Sequence, residues 1–279
     1  MKKYVFIVVA AIAALCSCSK DDDTTVDSVV AWEKALSLDK GDYTVTSIAI
    51  ETGINVSSYA TDATHKPLNA AGTLWEVLDG KVLRIQTSGN KILGHDSFTR
   101  DGILVEGLFF DYQKVESISG LGNLDMSKVT DMDFLFGNCK ELTSLDVSGF
   151  DTHLVNSMLG MFQNCYKLKS ITGLDKFNTS NVNTTAFTFA DCRALTALDL
   201  SSFNTSKVTN TMFMFVDCGS LGSLTFGPSF SMAKVQIKND MFSECGSDGH
   251  CYVHGITDPA LKDALRDGTG WDEANMEFQ

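Results

Sequence analysis

The chain is expected to fold as an α/β solenoid: about five to six stacked coils of strand, turn, short helix and turn, between a small, mainly β N-terminal module and a helical C-terminal cap. Three observations predict it. Phe precedes Cys by three residues at Phe136/Cys139, Phe162/Cys165, Phe189/Cys192, Phe215/Cys218 and Phe242/Cys245, with successive cysteines 26, 27, 26 and 27 residues apart. A beat of that length marks a stacked-repeat architecture. One apolar template rides on the beat: Val129, Met132, Phe136, Cys139, Leu142, Leu145 and Phe150 recur as Val155, Met158, Phe162, Cys165, Leu168, Ile171 and Phe177. Within each copy the period then changes. Val, Met, Phe and Cys at relative positions 0, 3, 7 and 10 suit one face of a short helix, while Leu145/Val147, Leu198/Leu200 and Leu224/Phe226 alternate like a half-buried strand.

In chain order, Lys2 and Lys3 precede an apolar run from Val5 to Leu15. At about 1.5 Å per residue it covers about half of a bilayer's hydrocarbon core, so residues 1–17 read as a secretory signal. Leu15-Cys16-Ser17-Cys18 resembles the lipobox of bacterial lipoproteins, which makes Cys18 the expected lipidation site and membrane anchor. Cys16 is the weaker candidate, because Leu15 would then occupy the cleavage position; an ordinary cleaved signal with incidental cysteines is the alternative. Ser19-Lys20-Asp21-Asp22-Asp23 opens a polar tether over 18–29. A solvated spacer is a sufficient reading of it. The run also resembles the acidic export tag of surface lipoproteins of the Bacteroidetes, which implies an outward-facing, lipid-anchored protein of the outer membrane. The net charge of −13 disfavours binding to nucleic acid.

Residues 30–108 alternate in strand fashion at Tyr43–Ile50, Leu74–Val77 and Val82–Ile85, and form the expected N-terminal module. The repeats occupy 109–250; Ser117-Ile118-Ser119-Gly120-Leu121 already matches Ser170-Ile171-Thr172-Gly173-Leu174 two periods later. One coil cannot bury enough apolar surface to offset the entropy of ordering it, so such units occur in arrays with covered ends. In the cap, 251–279, Asp258-Pro259 is a helix start ahead of Ala260, Leu261, Ala264 and Leu265, and Trp271 and Phe278 are candidates to cover the last coil.

Segments such as Leu198-Asp199-Leu200-Ser201-Ser202-Phe203-Asn204-Thr205-Ser206-Lys207-Val208-Thr209, followed by Met-Phe-x-x-Cys, resemble the roughly 26-residue bacterial surface protein repeat of BspA-like leucine-rich-repeat proteins. Thr185 and Thr211 depart from it where Met is usual. The resemblance implies a leucine-rich-repeat stack on a cell-surface protein, several such proteins being adhesins.

The cysteine column has two readings: small apolar filler, which is favoured, or disulfides between neighbouring coils in an oxidising exterior. Cys245, His250, Cys251 and His254 admit simple cap packing, a Cys245–Cys251 disulfide, or a zinc site whose spacing fits no usual pattern. G-x-S-x-G, H-E-x-x-H and G-x-x-x-x-G-K are absent, so no catalytic residue, metal or cofactor is expected. Function is expected on a strip of outward strand positions, Ser119, Asp146, Thr172, Asp199 and Thr225, which is either a merely soluble sheet face or a recognition surface for a protein or glycan. Tyr166, His153 and the N-terminal module are fallback candidates. A surface adhesin is the first reading; an accessory binding protein for glycan or peptide uptake, with Trp32 and Trp75 stacking on sugar, is the second.

Overall fold

The computed structural model describes residues 29–30, 45–61, 63–68, 74–87, 91–93, 98–100 and 103–279. The leader, Cys16, Cys18, the acidic run and Trp32 lie outside these residues. The N-terminal alternation forms strands Ser47–Glu51, Leu74–Asp79 and Val82–Thr87. With His65–Pro67 and Ser117–Ser119 they make a five-stranded sheet, in which Ser47–Glu51 runs parallel to both Val82–Thr87 and Ser117–Ser119. Ile48, Ile50, Leu83 and Ile85 point inward and are buried. Ile48 is in register with Ile118, so the N-terminal strands and the first partial repeat share one sheet.

The repeats do not build the expected α/β solenoid. No helix forms between Val and Cys in any copy; the helices among the described residues are 3-10 turns at Leu121–Asn123 and Leu174–Lys176 and one α-helix, Pro259–Arg266. Nor do the strand segments merge into one sheet. Ser144–Asp146 pairs with Ser170–Thr172, and Ala197–Leu200, Ser223–Phe226, Cys251–His254 and Met276–Phe278 form a separate parallel sheet of four. The expected helical cap is also corrected. Asp258 caps Pro259–Arg266 by accepting from the Ala260 N–H at 3.0 Å, but the outermost element of the sheet is the strand Met276–Phe278.

The helices fail because each repeat holds two left-handed residues. One stands immediately before each Cys: Asn138, Asn164, Asp191, Asp217 and Glu244, with φ between 56° and 62°. The other stands two before each Phe: Phe134, Gly160, Phe187, Phe213 and Asp240, with φ between 52° and 59°. A left-handed residue every few positions prevents a continuous right-handed ladder. The N–H groups alternate instead. Leu135, Gly137 and Cys139 donate three residues back, to Met132, Phe134 and Phe136; Met132, Phe134, Phe136 and Asn138 donate to Ser157, Leu159, Met161 and Gln163 of the next repeat. Spacings of three and four therefore reflect successive tight turns. Parallel bridges link Asp131, Ser157, Thr184, Asn210 and Ile237 in one column.

Side chains lock the same registry. The rings of Phe109, Phe136, Phe162, Phe189, Phe215 and Phe242 stack with centroids 5.5, 5.7, 5.5, 5.7 and 5.5 Å apart and planes within 12°. Trp271 meets Phe242 edge-on at 5.5 Å and closes the column. Beside the rings, the Cys139, Cys165, Cys192 and Cys218 thiols donate to the carbonyls of Phe109, Phe136, Phe162 and Phe189 at 3.1–3.3 Å. These are buried thiols, not inter-repeat disulfides, and burial pushes those of Cys165, Cys192 and Cys218 above the ordinary range. Thr152, Thr179 and Thr205 each donate to a backbone carbonyl of the following repeat and accept a backbone N–H from it. Gly160 is required twice over: its φ is +59°, and a Cβ there would lie 2.4 Å from the Phe134 ring.

Two departures from the template carry a cost. Thr185 and Thr211 take the places of Met132 and Met158, are buried, and their hydroxyls lack a hydrogen-bond partner. An unsatisfied buried hydroxyl costs about 1–3 kcal/mol. Thr185→Val and Thr211→Val, which keep shape and branching, are each expected to raise unfolding free energy by about 1 kcal/mol in urea titrations.

Asp133 is buried beside Asp131; desolvation, then the Asp131 charge, pushes its carboxyl up from 3.8 to about 8. It accepts from the Ser157 hydroxyl and, at 2.8 Å, from the Leu159 N–H. The folded chain thus holds at neutral pH a proton that the unfolded chain loses near 3.8, so this group's contribution to stability is full below 3.8 and is lost as pH rises towards 8. Asp133→Asn retains an acceptor and removes the titration. Urea unfolding between pH 4 and 8 is expected to show a smaller decline for the variant than for the parent chain.

Candidate functional site

The five strip positions fall at the same place in successive strands. Asp146 is in register with Thr172 and Asp199 with Thr225, while Ser119 ends the strand Ser117–Ser119. Ser119, Asp146, Thr172 and Asp199 are exposed and Thr225 half-buried; the intervening Leu145, Leu198 and Leu224 are buried on the other side. Period-two alternation therefore puts each of the five on the outward side of its own strand, distributed over three separate sheets.

Asp146 and Asp199 also shape the backbone. Asp146 accepts from the Ser148 N–H at 3.0 Å and its hydroxyl at 2.5 Å, and these bonds hold its carboxyl below the usual carboxylate range. Asp199 accepts from the Ser201 N–H at 2.9 Å. Each closes a turn at its strand's end while leaving its charge in solvent.

The face extends past both ends of the predicted strip. Beyond Ser119, register continues through Ala49 to Arg84. Arg84 donates to Glu51 at 2.5 Å and Gln86 donates to the other Glu51 oxygen at 2.6 Å; Tyr59 donates to Gln86 at 2.7 Å. The Glu51 bond is the main reason the Arg84 guanidinium is held above its ordinary range. Tyr59 also meets the His65 ring edge-on at 5.0 Å. Beyond Thr225 the register reaches His254, with Tyr252 beside Ser223. Tyr252 is exposed, lies 4.9 Å from the His250 ring, and has Glu277 as its register partner; a Glu277 oxygen is 3.7 Å from His250 Nε2. The alternation of Cys251-Tyr252-Val253-His254 marks this end in the sequence. The Arg84 end had no comparable signal, because its place beside the strip depends on pairing between distant strands.

The Cys245, His250, Cys251 and His254 side chains do not converge. Cys251 and Val253 face inward, whereas Tyr252 and His254 alternate outward. Cys245 and Cys251 are both buried, on stretches of chain that lie against one another at Gly246. Tyr166 and His153 stand off the strip: Arg193 lies 4.7 Å over the Tyr166 ring, and His153 pairs with Asp151 at 2.7 Å. Arg193, Asp217, Gly219 and Asp248 line an open hollow of about 330 Å³, in which Arg193 is already paired with Asp191 at 2.5 Å. Trp75 pairs with Gln86 in register, which places it in the strand beside the Arg84 end.

No curated protein and no solved structure matches the chain. One family model matches twice, over residues 105–220 and 131–250, with starts one repeat apart and a combined reach of just over half the chain. The first match starts ahead of the stacked Phe109 and the second ends just past the Cys245 beat. The chain accordingly belongs to the family described as Mycoplasma protein of unknown function, DUF285.

Proposed function

We propose that the chain is a non-catalytic binding protein of the cell surface, anchored in the outer membrane through lipid on Cys18, which captures an extended protein or glycan partner along its strand face. The observation that carries this reading is the outward row Ser119, Asp146, Thr172, Asp199 and Thr225, exposed but for the half-buried Thr225 and flanked by Arg84 and Glu51 at one end and Tyr252 and His250 at the other. Within each strand pair, small polar groups about 4.8 Å apart allow close approach of an extended ligand and repeated hydrogen bonding to it. The finer resemblance of the repeat to that of BspA-like surface proteins supports the surface role, as do the lipobox and acidic run. Tyr252 favours a second reading, an accessory glycan-binding protein of a nutrient-uptake system, since an exposed ring on a polar face suits stacking against sugar.

Asp146→Asn combined with Asp199→Asn keeps the acceptors that close the turns and removes both charges. On a glycan array and a panel of host-matrix proteins, the double variant is expected to lose about tenfold in capture, about 1.4 kcal/mol, with its melting temperature little changed. Undiminished capture would remove the strip from the reading. Cys18→Ala is expected to move the protein from the membrane to the soluble fraction; continued membrane retention would count against the anchor.

A further inference from the structure

The last cysteine of the column behaves differently from the other four. Cys139, Cys165, Cys192 and Cys218 each donate to the carbonyl of a Phe in the preceding repeat. Cys245 instead sits next to the stretch that carries Cys251, and each of the two side chains shifts the acidity of the other. Both are buried, and the segment between them is pinned at each end: Gly246 N–H donates to the Cys218 carbonyl at 3.1 Å and Cys251 N–H to the Asn275 carbonyl at 2.8 Å. Gly246, at φ +70°, brings the two stretches so close that a Cβ on it would lie 2.8 Å from the Cβ of Cys251. The Gly249 N–H closes the turn onto the Gly246 carbonyl at 3.0 Å. Bridging two cysteines on stretches that lie this close needs an approach of the sulfurs to about 2.05 Å.

We propose that Cys245 and Cys251 are a redox pair that closes into a disulfide when the chain meets a disulfide-bearing oxidant. Before folding buries the pair, the Cys251 thiol loses its proton and its sulfur attacks one sulfur of the oxidant, releasing one thiolate and forming a mixed disulfide. Cys245 then loses its proton and attacks the Cys251 sulfur, releasing the second thiolate. The protein dithiol is thereby oxidised and the external disulfide reduced to two thiols. The bridge pins the segment carrying His250 and Tyr252, so it stiffens one end of the strand face whatever that face binds.

The test uses the full chain, unfolded and refolded in oxidised and reduced glutathione so that burial cannot block access, then acid-quenched, denatured, alkylated with N-ethylmaleimide and mapped by mass spectrometry. Cys245 and Cys251 are expected to be unalkylated and linked, two hydrogens lighter, with Cys139, Cys165, Cys192 and Cys218 alkylated. Alkylation of both Cys245 and Cys251, or a link from either to another cysteine, overturns the proposal. In a second measurement, adding reductant is expected to lower the melting temperature of the oxidised chain by several degrees and to leave Cys251→Ser unmoved; an equal shift in that variant also overturns it.

Discussion

Along one wall of the array, alternate backbone donors of a repeat are left for its neighbour to satisfy. Along the turn-rich wall, one N–H closes a tight turn and the next reaches the carbonyl of the following repeat, as at Leu135 and Phe136. A buried N–H without an acceptor is costly, so a single repeat could neither satisfy its backbone nor shield its apolar side. The left-handed residues impose the arrangement by turning alternate amides outward, and the Phe rings and Thr hydroxyls then fall into columns at the same spacing.

The end of the array has to answer the same demand. The Phe242 N–H, which in earlier copies would reach the next repeat, donates to the Thr269 carbonyl. Thr269 is buried, with its hydroxyl bonded to the Leu265 carbonyl at the end of the helix Pro259–Arg266. Trp271 covers Phe242 and is itself covered by Phe278 at 4.4 Å. A non-repeat segment thus supplies the acceptor and aromatic surface of a missing copy, and its final strand extends the sheet.

The apolar template and the strip were legible in the sequence because inward and outward positions recur with the repeat whatever the backbone between them does. The helices were misread because spacings of three and four belong equally to an α-helix and to a chain of three-residue turns. The discriminating signal lay beside each cysteine: Asn138, Asn164, Asp191 and Asp217 are residue types that tolerate left-handed backbone, and a recurring one is poor material for a helix centre. Phe134, Phe187 and Phe213 gave no such warning, since a left-handed Phe is held there by its surroundings and not by its own preference. The Arg84 end of the face depends on Ser47–Glu51 lying between Val82–Thr87 and Ser117–Ser119, a long-range pairing that no local pattern encodes.

The division of labour between the two sides of the repeat narrows where a partner can act. On the wall, amides, thiols and Thr hydroxyls are largely committed to the neighbouring repeat, so a ligand there would have to displace bonds that hold the array together. On the strand face, side chains point away from the ladder, and Asp146 and Asp199 close their turns while keeping their charge exposed. Substitution at those positions can alter what the surface presents while preserving the hydrogen bonds beneath it. A repeat built in this way can vary its outward strand residues copy by copy, as Ser119, Asp146, Thr172, Asp199 and Thr225 do, while the buried Phe and Cys columns stay uniform.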